Sequence, residues 1–406
     1  MKIRHESPAQ TALGQAACQR WQAATAASMP SACPRLHSWR GGSRRAEWFW
    51  DMIREGAVSP GPRSCYHADA SQLRRAGQET MIENARAFWT IAPGRGEIRG
   101  EALRPPTSDE VLVRTSYSAV SRGTESLVFH GRVPVSEYQR MRCPHQVGDF
   151  PGPLKYGYAN VGVVEVGPAE LLNQPVFCLF PHQTAYVVPA LSVSVIPASV
   201  APERAILAAN LETAINAVWD AAPRLGDRVT VVGAGVLGCL CAYLLARHIG
   251  VEVELSDIEP QREATARALG ADFAPPESAR RERDLVIHAS ATEAGLRASL
   301  ELARADSTVL ELSWFGDAEV RLPLGAAFHQ KRLALRSSQV GSLSPRARRR
   351  FDYRARLALA LELCKDPVLD ALIEAESPFE DLPTLMPRLS APGKSALCHR
   401  LRYAAP

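Results

Sequence analysis

Hydrophobic residues in the second half of the chain fall into short runs separated by longer helical stretches. Residues 229–232 (VTVV) form a short run rich in β-branched residues, which is typical of a buried parallel strand. Residues 239–248 are mostly apolar and predict a helix packed on a sheet, and residues 251–255 predict a second strand. The alternation continues with predicted helices at 260–269 and 293–304 and predicted strands at 284–290, 307–316 and 332–338. This order predicts an α/β fold with a doubly wound parallel sheet.

A different pattern covers residues 81–120, which read in order as strand, turn, strand, proline-rich turn and strand. Residues 1–80 have no sustained helical or strand period. We therefore expect the natural protein to begin at Met81, with residues 1–80 as a disordered tail or a non-native extension. A real third domain is the alternative.

Composition narrows the class of protein. With 46% hydrophobic and 22% charged residues the chain resembles an ordinary globular protein, and it contains no run of about 18 apolar residues that would predict a membrane span. The net charge of +4 comes from residues 1–80, which hold 11 Lys and Arg against six Asp and Glu, so we expect no nucleic-acid or membrane partner. The nine cysteines are an odd number without a CxxC pair, which favours reduced thiols in the cytoplasm.

The strand at 229–232 is followed by glycines in GxGxxG spacing, which is typical of a dinucleotide-binding turn. Gly233 permits the tight turn, Gly235 lets the backbone approach a pyrophosphate, and Gly238 lets the helix pack closely on the strand. The helix N-terminus, with Val236 and Leu237, would present free N–H groups and a positive dipole end to the phosphates. The alternative is a glycine turn in an α/β fold that binds no nucleotide.

Asp257 follows the second predicted strand, 24 residues after the first glycine. A carboxylate at this position accepts hydrogen bonds from ribose hydroxyls and repels a 2′-phosphate, so the sequence favours NAD over NADP. Arg262, a few residues later, would soften that preference.

The order of these parts resembles the medium-chain dehydrogenase/reductase superfamily over most of 81–406. The resemblance rests on "DEVLVRTSYSAVSRGTE", "GPLKYGYANVGVVEVG" and "ERAILAANLETAINAVWDAAPRLGDRVTVVGAG". The Ser-x-Gly-Thr-Glu loop is similar to that of bacteriochlorophyllide a dehydrogenase, and other segments are similar to sorbitol and threonine dehydrogenases. The resemblance implies a GroES-like β-barrel catalytic domain at 81–203, to which 339–406 returns, and a Rossmann domain at 204–338. It also implies a small-molecule substrate in the cleft between the domains and a homodimer or homotetramer.

The zinc ligands of the family are missing at the matching positions. Ser121 stands in the slot of a Cys ligand, Tyr158 in that of a His, and Ala209 in that of another Cys. Only Glu212 matches a Glu that some polyol dehydrogenases place beside zinc, and Cys143 stands alone where a four-Cys structural loop would be. We therefore expect no zinc, because Zn²⁺ needs three or four N, S or O ligands.

Without a metal, other groups must polarise the substrate oxygen and handle its proton. Tyr158 is the candidate proton donor, with Arg122 nearby to lower its pKa, and Ser121 would orient the substrate or relay a proton. Glu125 and Glu212 would act as bases or fix a water molecule. Each has a structural alternative: Ser121 and Tyr158 fill a vacated metal pocket, Arg122 and Glu125 form a salt bridge, or Glu212 bonds a backbone amide.

Three further features remain. By resemblance, Thr213 packs against the nicotinamide ring. His182 lies in a predicted loop, where a surface or hydrogen-bonding role is the expected one. The segment 345–364 carries six arginines, which form a solvated face or lie near the substrate entrance.

The sequence thus favours a zinc-free NAD(P)-dependent oxidoreductase. The two alternatives are a non-catalytic dinucleotide-binding or redox-sensing protein, and a zinc alcohol dehydrogenase with an atypical ligand set.

Overall fold

A computed structural model of the chain describes residues 83–391 and 396–404. The prediction that residues 1–80 form an extension lies outside the described residues. Among the described residues, no helix is both long and apolar enough to cross a membrane.

The chain begins with the predicted succession of strands. A hairpin joins β1 (Glu83–Ala92) to β2 (Arg95–Leu103), and its tight turn is made by Gly94, whose φ is +73°. A proline-rich turn then leads to β3 (Glu110–Val120), and Arg104 closes it by binding the Glu110 carboxylate at 2.6 Å. The sequence prediction of three strands here is confirmed.

The β-rich part continues with one helix and short strands. Their bounds are α1 (Arg122–Phe129), β4 (Val147–Gly148), β5 (Leu154–Lys155), β6 (Asn160–Val166), β7 (Pro175–Cys178), β8 (Ala185–Pro189) and β9 (Val193–Val195). Apolar residues of β3, β6, β7 and β8 face each other to form a buried core, since their side chains alternate between the two faces of the sheet.

The second half forms a parallel sheet with helices. The elements are α2 (Pro202–Ala205), α3 (Ala208–Ala221), β10 (Arg228–Val232), α4 (Val236–Ala246), β11 (Glu252–Ser256), α5 (Arg262–Ala268), β12 (Asp272–Ala274), β13 (Arg283–His288), α6 (Glu293–Leu302), β14 (Ala303–Glu311) and β15 (Ala334–Ser337). Within the described residues the strand order is β12-β11-β10-β13-β14-β15, and all pairs are parallel. This is the 3-2-1-4-5-6 order of dinucleotide-binding sheets.

The doubly wound α/β sheet predicted from the hydrophobic pattern is therefore confirmed, with differences in the bounds of its elements. Strand β14 covers Ala303–Glu311 where 307–316 was predicted, and α6 ends at Leu302. Helix α4 begins at Val236 and not at residue 239, because the helix continues through Gly238 despite the low helix propensity of glycine. Strand β12 has only three residues, too few to give a hydrophobic period.

The C-terminal segment returns to the β-rich part. Asp352 caps α7 (Tyr353–Leu363) by accepting the Ala355 N–H at 2.7 Å, and β16 (Ile373–Pro378), α8 (Leu382–Leu389) and β17 (Cys398–Arg402) follow. Strand β17 pairs antiparallel with β3 and parallel with β16. In the described residues this makes a seven-stranded sheet, ordered β16-β17-β3-β6-β7-β9 with β8 also on β3.

The six described cysteines are free and buried, which gives a direct test of the packing. Burial raises the pKa of Cys143, Cys178, Cys239, Cys364 and Cys398 to about 12 each, and raises that of Cys241 as well. At pH 8 only about one thiol in ten thousand would then be the reactive thiolate. We predict that iodoacetamide leaves these six unmodified in the native protein and labels them in urea, as read by peptide mass spectrometry. Rapid native labelling of any of them would contradict the packing.

Candidate active site

The turn after β10 has almost no free volume. Gly233 has a φ of +107°, and a Cβ there would lie 2.6 Å from the amide nitrogen of Ser290. A Cβ on Gly238 would lie 1.8 Å from the carbonyl oxygen of Gly233, so neither position accepts a side chain. A Cβ on Gly235, by contrast, would meet no atom within 4 Å. The strand end and the helix start are therefore locked together, while the backbone at Gly235 faces open space.

The open space at Gly235 fits a pyrophosphate. Gly235 is the N-cap of α4, so the N–H groups that follow it, including those of Val236 and Leu237, begin the helix without intrahelical partners. Such a terminus favours an anion. The residues present therefore fit the phosphates of a dinucleotide.

Asp257 stands at the end of β11, beside the glycine turn. Its carboxylate accepts the Ala234 N–H at 2.5 Å and the Glu259 N–H at 2.9 Å. These two bonds hold the carboxylate at the rim of the open space. Arg262 is 5% exposed, and its guanidinium lies 3.6 Å from the Glu374 carboxylate of β16.

Glu125 is the centre of a buried polar chain in the β-rich part. Its Oε1 accepts the backbone N–H of Ser121 at 2.8 Å, and its Oε2 lies 2.9 Å from Nε2 of His182. Nδ1 of His182 lies 2.8 Å from the Ser118 hydroxyl, which in turn bonds the Tyr403 hydroxyl at 2.9 Å. His182 is 2% exposed, so of its two predicted roles the surface one is wrong and the hydrogen-bonding one is confirmed.

The expected salt bridge between Arg122 and Glu125 is wrong. Glu125 pairs with His182, while Nε of Arg122 donates to the carbonyl of Leu389 at 3.2 Å. Both residues lie in the first turn of α1, but Arg122 points toward α8 and Glu125 into the core. The pKa of the Arg122 guanidinium is lowered by burial and, further, by the charge of Arg262.

The Tyr158 hydroxyl lies beside the first turn of α1, where the side chains of Ser121 and Thr124 act to lower its pKa. Burial raises its pKa well above the usual 10, and the negative charge of Glu125 raises it further. The expectation that Arg122 lowers this pKa is therefore wrong, because burial and a carboxylate dominate. Tyr158 is a neutral phenol that can donate a hydrogen bond.

The carboxylate of Glu212 forms a buried ion pair. Its Oε1 accepts from Nε of Arg356 at 3.0 Å, and both side chains are buried, at 6% and 2% exposure. Arg356 also donates to Asn216 Oδ1 at 2.8 Å and to the Val340 carbonyl at 2.7 Å. The prediction of Glu212 as a base, and its backbone-amide alternative, are therefore wrong: it is one half of an ion pair that joins α3 to α7. Burial raises its pKa, against the opposing charge of Arg356.

The arginine-rich segment divides into two parts. Arg356 is buried in the ion pair with Glu212, whereas Arg346, Arg348, Arg349, Arg350 and Arg354 are exposed. Thr213, one residue after Glu212, donates its hydroxyl to the Ala209 carbonyl at 3.1 Å within α3.

The segment after β14 connects the loop beside the glycine turn to the β-rich part. Ser313 accepts the Ala291 N–H at 3.0 Å, and Trp314 packs against the apolar cluster on which Tyr158 also packs, which includes Val128, Phe150 and Tyr156. Asp317 pairs with Arg132 at 2.9 Å. The chain therefore runs from the carboxyl end of β14 into the cluster that holds Tyr158.

The residues at the positions that the resemblance assigns to zinc ligands do not fit a zinc ion. Ser121 and Tyr158 offer hydroxyls, and the carboxylate of Glu212 is occupied by Arg356. Over residues 83–391 and 396–404, no three His, Cys, Asp or Glu side chains are grouped so as to hold a metal ion.

Solved structures share this architecture. L-idonate 5-dehydrogenase from Escherichia coli K-12 is 16% identical, with a TM-score of 0.64 over 79% of this chain and 98% of the other. An alcohol dehydrogenase from Escherichia coli CFT073 complexed with NADH and a dehydrogenase from Sinorhizobium meliloti 1021 bound to NADP each have a TM-score of 0.62 at 16% identity, covering 79% of this chain and 99% of theirs. The fold is that of the medium-chain dehydrogenases. It combines a GroES-like barrel with a Rossmann domain, as expected.

At the level of sequence, no protein-family model and no curated protein matches the chain.

Sequence reasoning missed four residues of the site: Thr124, Ser118, Tyr403 and Arg356. Thr124 is the Thr of the Ser-x-Gly-Thr-Glu loop, so the loop motif itself could have indicated it as a site residue. Tyr403 is 285 residues from Ser118, and Arg356 is 144 from Glu212, so only the folded chain brings them together.

The ion pair between Glu212 and Arg356 gives a stability prediction. Arg356→Met leaves a buried carboxylate without its partner and should lower the free energy of unfolding by about 3–5 kcal/mol. Adding Glu212→Gln should recover about half of this loss or more, because the uncompensated charge is removed. Urea denaturation measures all three proteins.

The exposed pair of Arg267 and Glu263, at 2.7 Å, supplies the control. Glu263→Gln should cost less than about 1 kcal/mol, since surface ion pairs are screened by water. An Arg356→Met variant as stable as Glu263→Gln would contradict the assignment of a buried pair.

Proposed function

We propose that this protein is an NAD(P)-dependent oxidoreductase that transfers a hydride between nicotinamide and a small-molecule alcohol or carbonyl, or an activated double bond, without catalytic zinc. One observation carries the proposal: the segment after β14 contacts both the loop beside the glycine turn, through Ser313 and the Ala291 N–H, and the apolar cluster of Tyr158, through Trp314. The medium-chain dehydrogenase fold of the chain supports it.

The dinucleotide, when bound, supplies or accepts the hydride. On our proposal the N-terminus of α4 holds its pyrophosphate, with Gly235 leaving space for close approach. Asp257, fixed at the rim by two backbone N–H groups, would receive the ribose hydroxyls and disfavour a 2′-phosphate. NAD is therefore the proposed cofactor, although the fold is found with both NADH and NADP.

Tyr158 would polarise the substrate oxygen. Because its pKa lies well above 10, the phenol keeps its proton and donates a hydrogen bond, as a general acid for carbonyl reduction. The hydroxyls of Ser121 and Thr124 would share the site with it, and the pair of Glu125 and His182 holds the backbone at Ser121. Arg122, whose Nε donates to the Leu389 carbonyl, has no part in lowering the Tyr158 pKa.

A second candidate function is dinucleotide binding without turnover, as in a redox sensor. The observation that favours it is the commitment of Glu212 to Arg356, which leaves no free carboxylate base at that position. An atypical zinc enzyme is less well supported, because zinc would require Glu212 to leave its buried partner.

Assembly and location complete the proposal. The exposed edge strand β15 is a surface through which two chains could pair as a homodimer or homotetramer. The six free cysteines support a reducing compartment such as the cytoplasm.

The glycine turn gives a matched pair of variants for cofactor binding. Gly235→Ala adds a methyl group to open space, so it should fold normally but weaken NADH binding by about tenfold or more. Gly238→Ala should lower stability or prevent folding, because its Cβ would overlap the Gly233 carbonyl. NADH fluorescence titration and thermal melting separate the two effects. Unchanged NADH affinity in Gly235→Ala would contradict the binding site.

Tyr158→Phe tests the chemical step. Turnover should fall by about 10²–10⁴, with NADH affinity unchanged, since the proton donor is lost while the cofactor site is intact. Tyr156→Phe is the control, because that hydroxyl bonds the Met141 carbonyl at 3.1 Å; it should keep most of the activity. The assays use a panel of ketones, aldehydes and alcohols with protein depleted of metal by a chelator.

Two further readouts belong to the same experiment. The wild-type reduction rate should not fall between pH 8 and 10 through loss of the Tyr158 proton, since its pKa is raised. Near-normal turnover by the Tyr158→Phe variant would contradict the proposal that Tyr158 is the proton donor. A tightly held zinc ion in each active chain would contradict the zinc-free proposal, and NADH binding without turnover of any substrate would favour the sensor.

A further inference from the structure

A second buried polar network lies at the carboxyl edge of the parallel sheet. His288, the last residue of β13, is 0% exposed. Its Nδ1 lies 2.7 Å from Oε2 of Glu311, the last residue of β14, and its Nε2 lies 2.7 Å from the Ser290 hydroxyl. The other oxygen of Glu311 accepts the Ser313 N–H at 2.6 Å. The ends of two adjacent strands are thus joined through one carboxylate.

The proton positions in this network follow from its donors and acceptors. Glu311 as a carboxylate only accepts, so Nδ1–H of His288 donates to it, and Nε2 of the neutral ring accepts the Ser290 hydroxyl. Ser290 then accepts the Thr292 hydroxyl at 2.9 Å, and Thr292 accepts the Gly295 N–H at 3.0 Å. With this assignment every donor of the network has an acceptor within it.

The connectivity Ser290–His288–Glu311 matches that of a nucleophilic triad, but the surroundings argue against that chemistry. The Ser290 oxygen already accepts from the hydroxyl and the N–H of Thr292. A Cβ on Gly295 would lie 2.2 Å from this oxygen, so Ser290 is closely confined. Its role is to hold the imidazole in place.

The position of the network in the sheet indicates which ligand it meets. In the 3-2-1-4-5-6 order, the first three strands hold one mononucleotide half and the last three hold the other. Asp257, the ribose-binding candidate, directly follows β11 on the first half. His288 and Glu311 end β13 and β14 on the second half, and the Ser290 backbone touches the glycine turn between them. The second half is where the nicotinamide would lie.

We infer that Glu311, held by His288 and the Ser313 N–H, sets the relative affinity of the protein for the oxidised and reduced dinucleotide. This inference rests on the proposed function. The nicotinamide ring is a cation in NAD⁺ and neutral in NADH, and a partly buried carboxylate favours the cation. Among the ion pairs of the described residues Glu311 has only His288 as partner, so no Arg or Lys cancels its charge.

The test compares dissociation constants for NAD⁺ and NADH by calorimetry and fluorescence, without any substrate. Glu311→Gln should weaken the binding of NAD⁺ by about three- to tenfold relative to that of NADH, which is the effect expected from one unit charge in a partly screened site. His288→Gln keeps the carboxylate of Glu311 and should leave the ratio of the two dissociation constants near the wild-type value, even if both affinities fall.

Glu254→Gln is the matched control for removal of a carboxylate. Glu254 is 2% exposed in β11 of the same sheet, where it accepts the Arg280 N–H at 2.9 Å. Its replacement should leave the ratio unchanged. If Glu311→Gln changes both affinities by one common factor, or neither, the network is merely structural and the inference is overturned.

Two outcomes remain to be separated. If Glu311→Gln does not fold, Ser313→Asp adds a carboxylate at the same edge and should shift the ratio toward NAD⁺; an unchanged ratio there also overturns the inference. If the wild-type protein binds neither NAD⁺ nor NADH, the proposed function is refuted. The wild-type titrations show that result before any variant is compared.

Discussion

The close contact of Gly233 with Ser290 and Gly238 is the constraint on which the candidate site depends. With no side chain at these two glycines, β10, α4 and the loop after β13 pack at backbone distance. That packing points the unpartnered N–H groups of α4 at the open space beside Gly235, and it brings the ends of β13 and β14 to the same rim. The open helix terminus and the place of the His288–Glu311 network beside it are therefore tied to one turn.

Buried polar pairs complete the site on the β-rich side. The hydrogen bond of Glu125 with His182 fixes the first turn of α1, and the ion pair of Glu212 with Arg356 fixes α3 against α7. Burying polar and charged groups costs desolvation energy, so such pairs contribute more to a single arrangement than to net stability. The chain thus uses both carboxylates to hold its own helices in place. The Tyr158 hydroxyl is the polar group that remains available.

The parts that sequence predicted are local in the chain. Strand, glycine turn and helix lie within 20 residues, and each has its own hydrophobic period, so the Rossmann sheet and the roles of its glycines follow from residue order. The partners of the polar residues do not: His182 is 57 residues from Glu125, and Arg356 is 144 from Glu212. Neighbours in sequence were misleading here, since Arg122 and Glu125 share a helical turn but point to different elements. The direction of the Tyr158 pKa also depended on burial, which a sequence does not give.

The most direct test of the account is a crystal structure grown with NAD⁺, with diffraction data collected at the zinc absorption edge. The account predicts the pyrophosphate at the N-terminus of α4, the nicotinamide at the ends of β13 and β14, and no anomalous peak near Tyr158. An anomalous peak between Tyr158 and Glu212, with Glu212 released from Arg356, would contradict it.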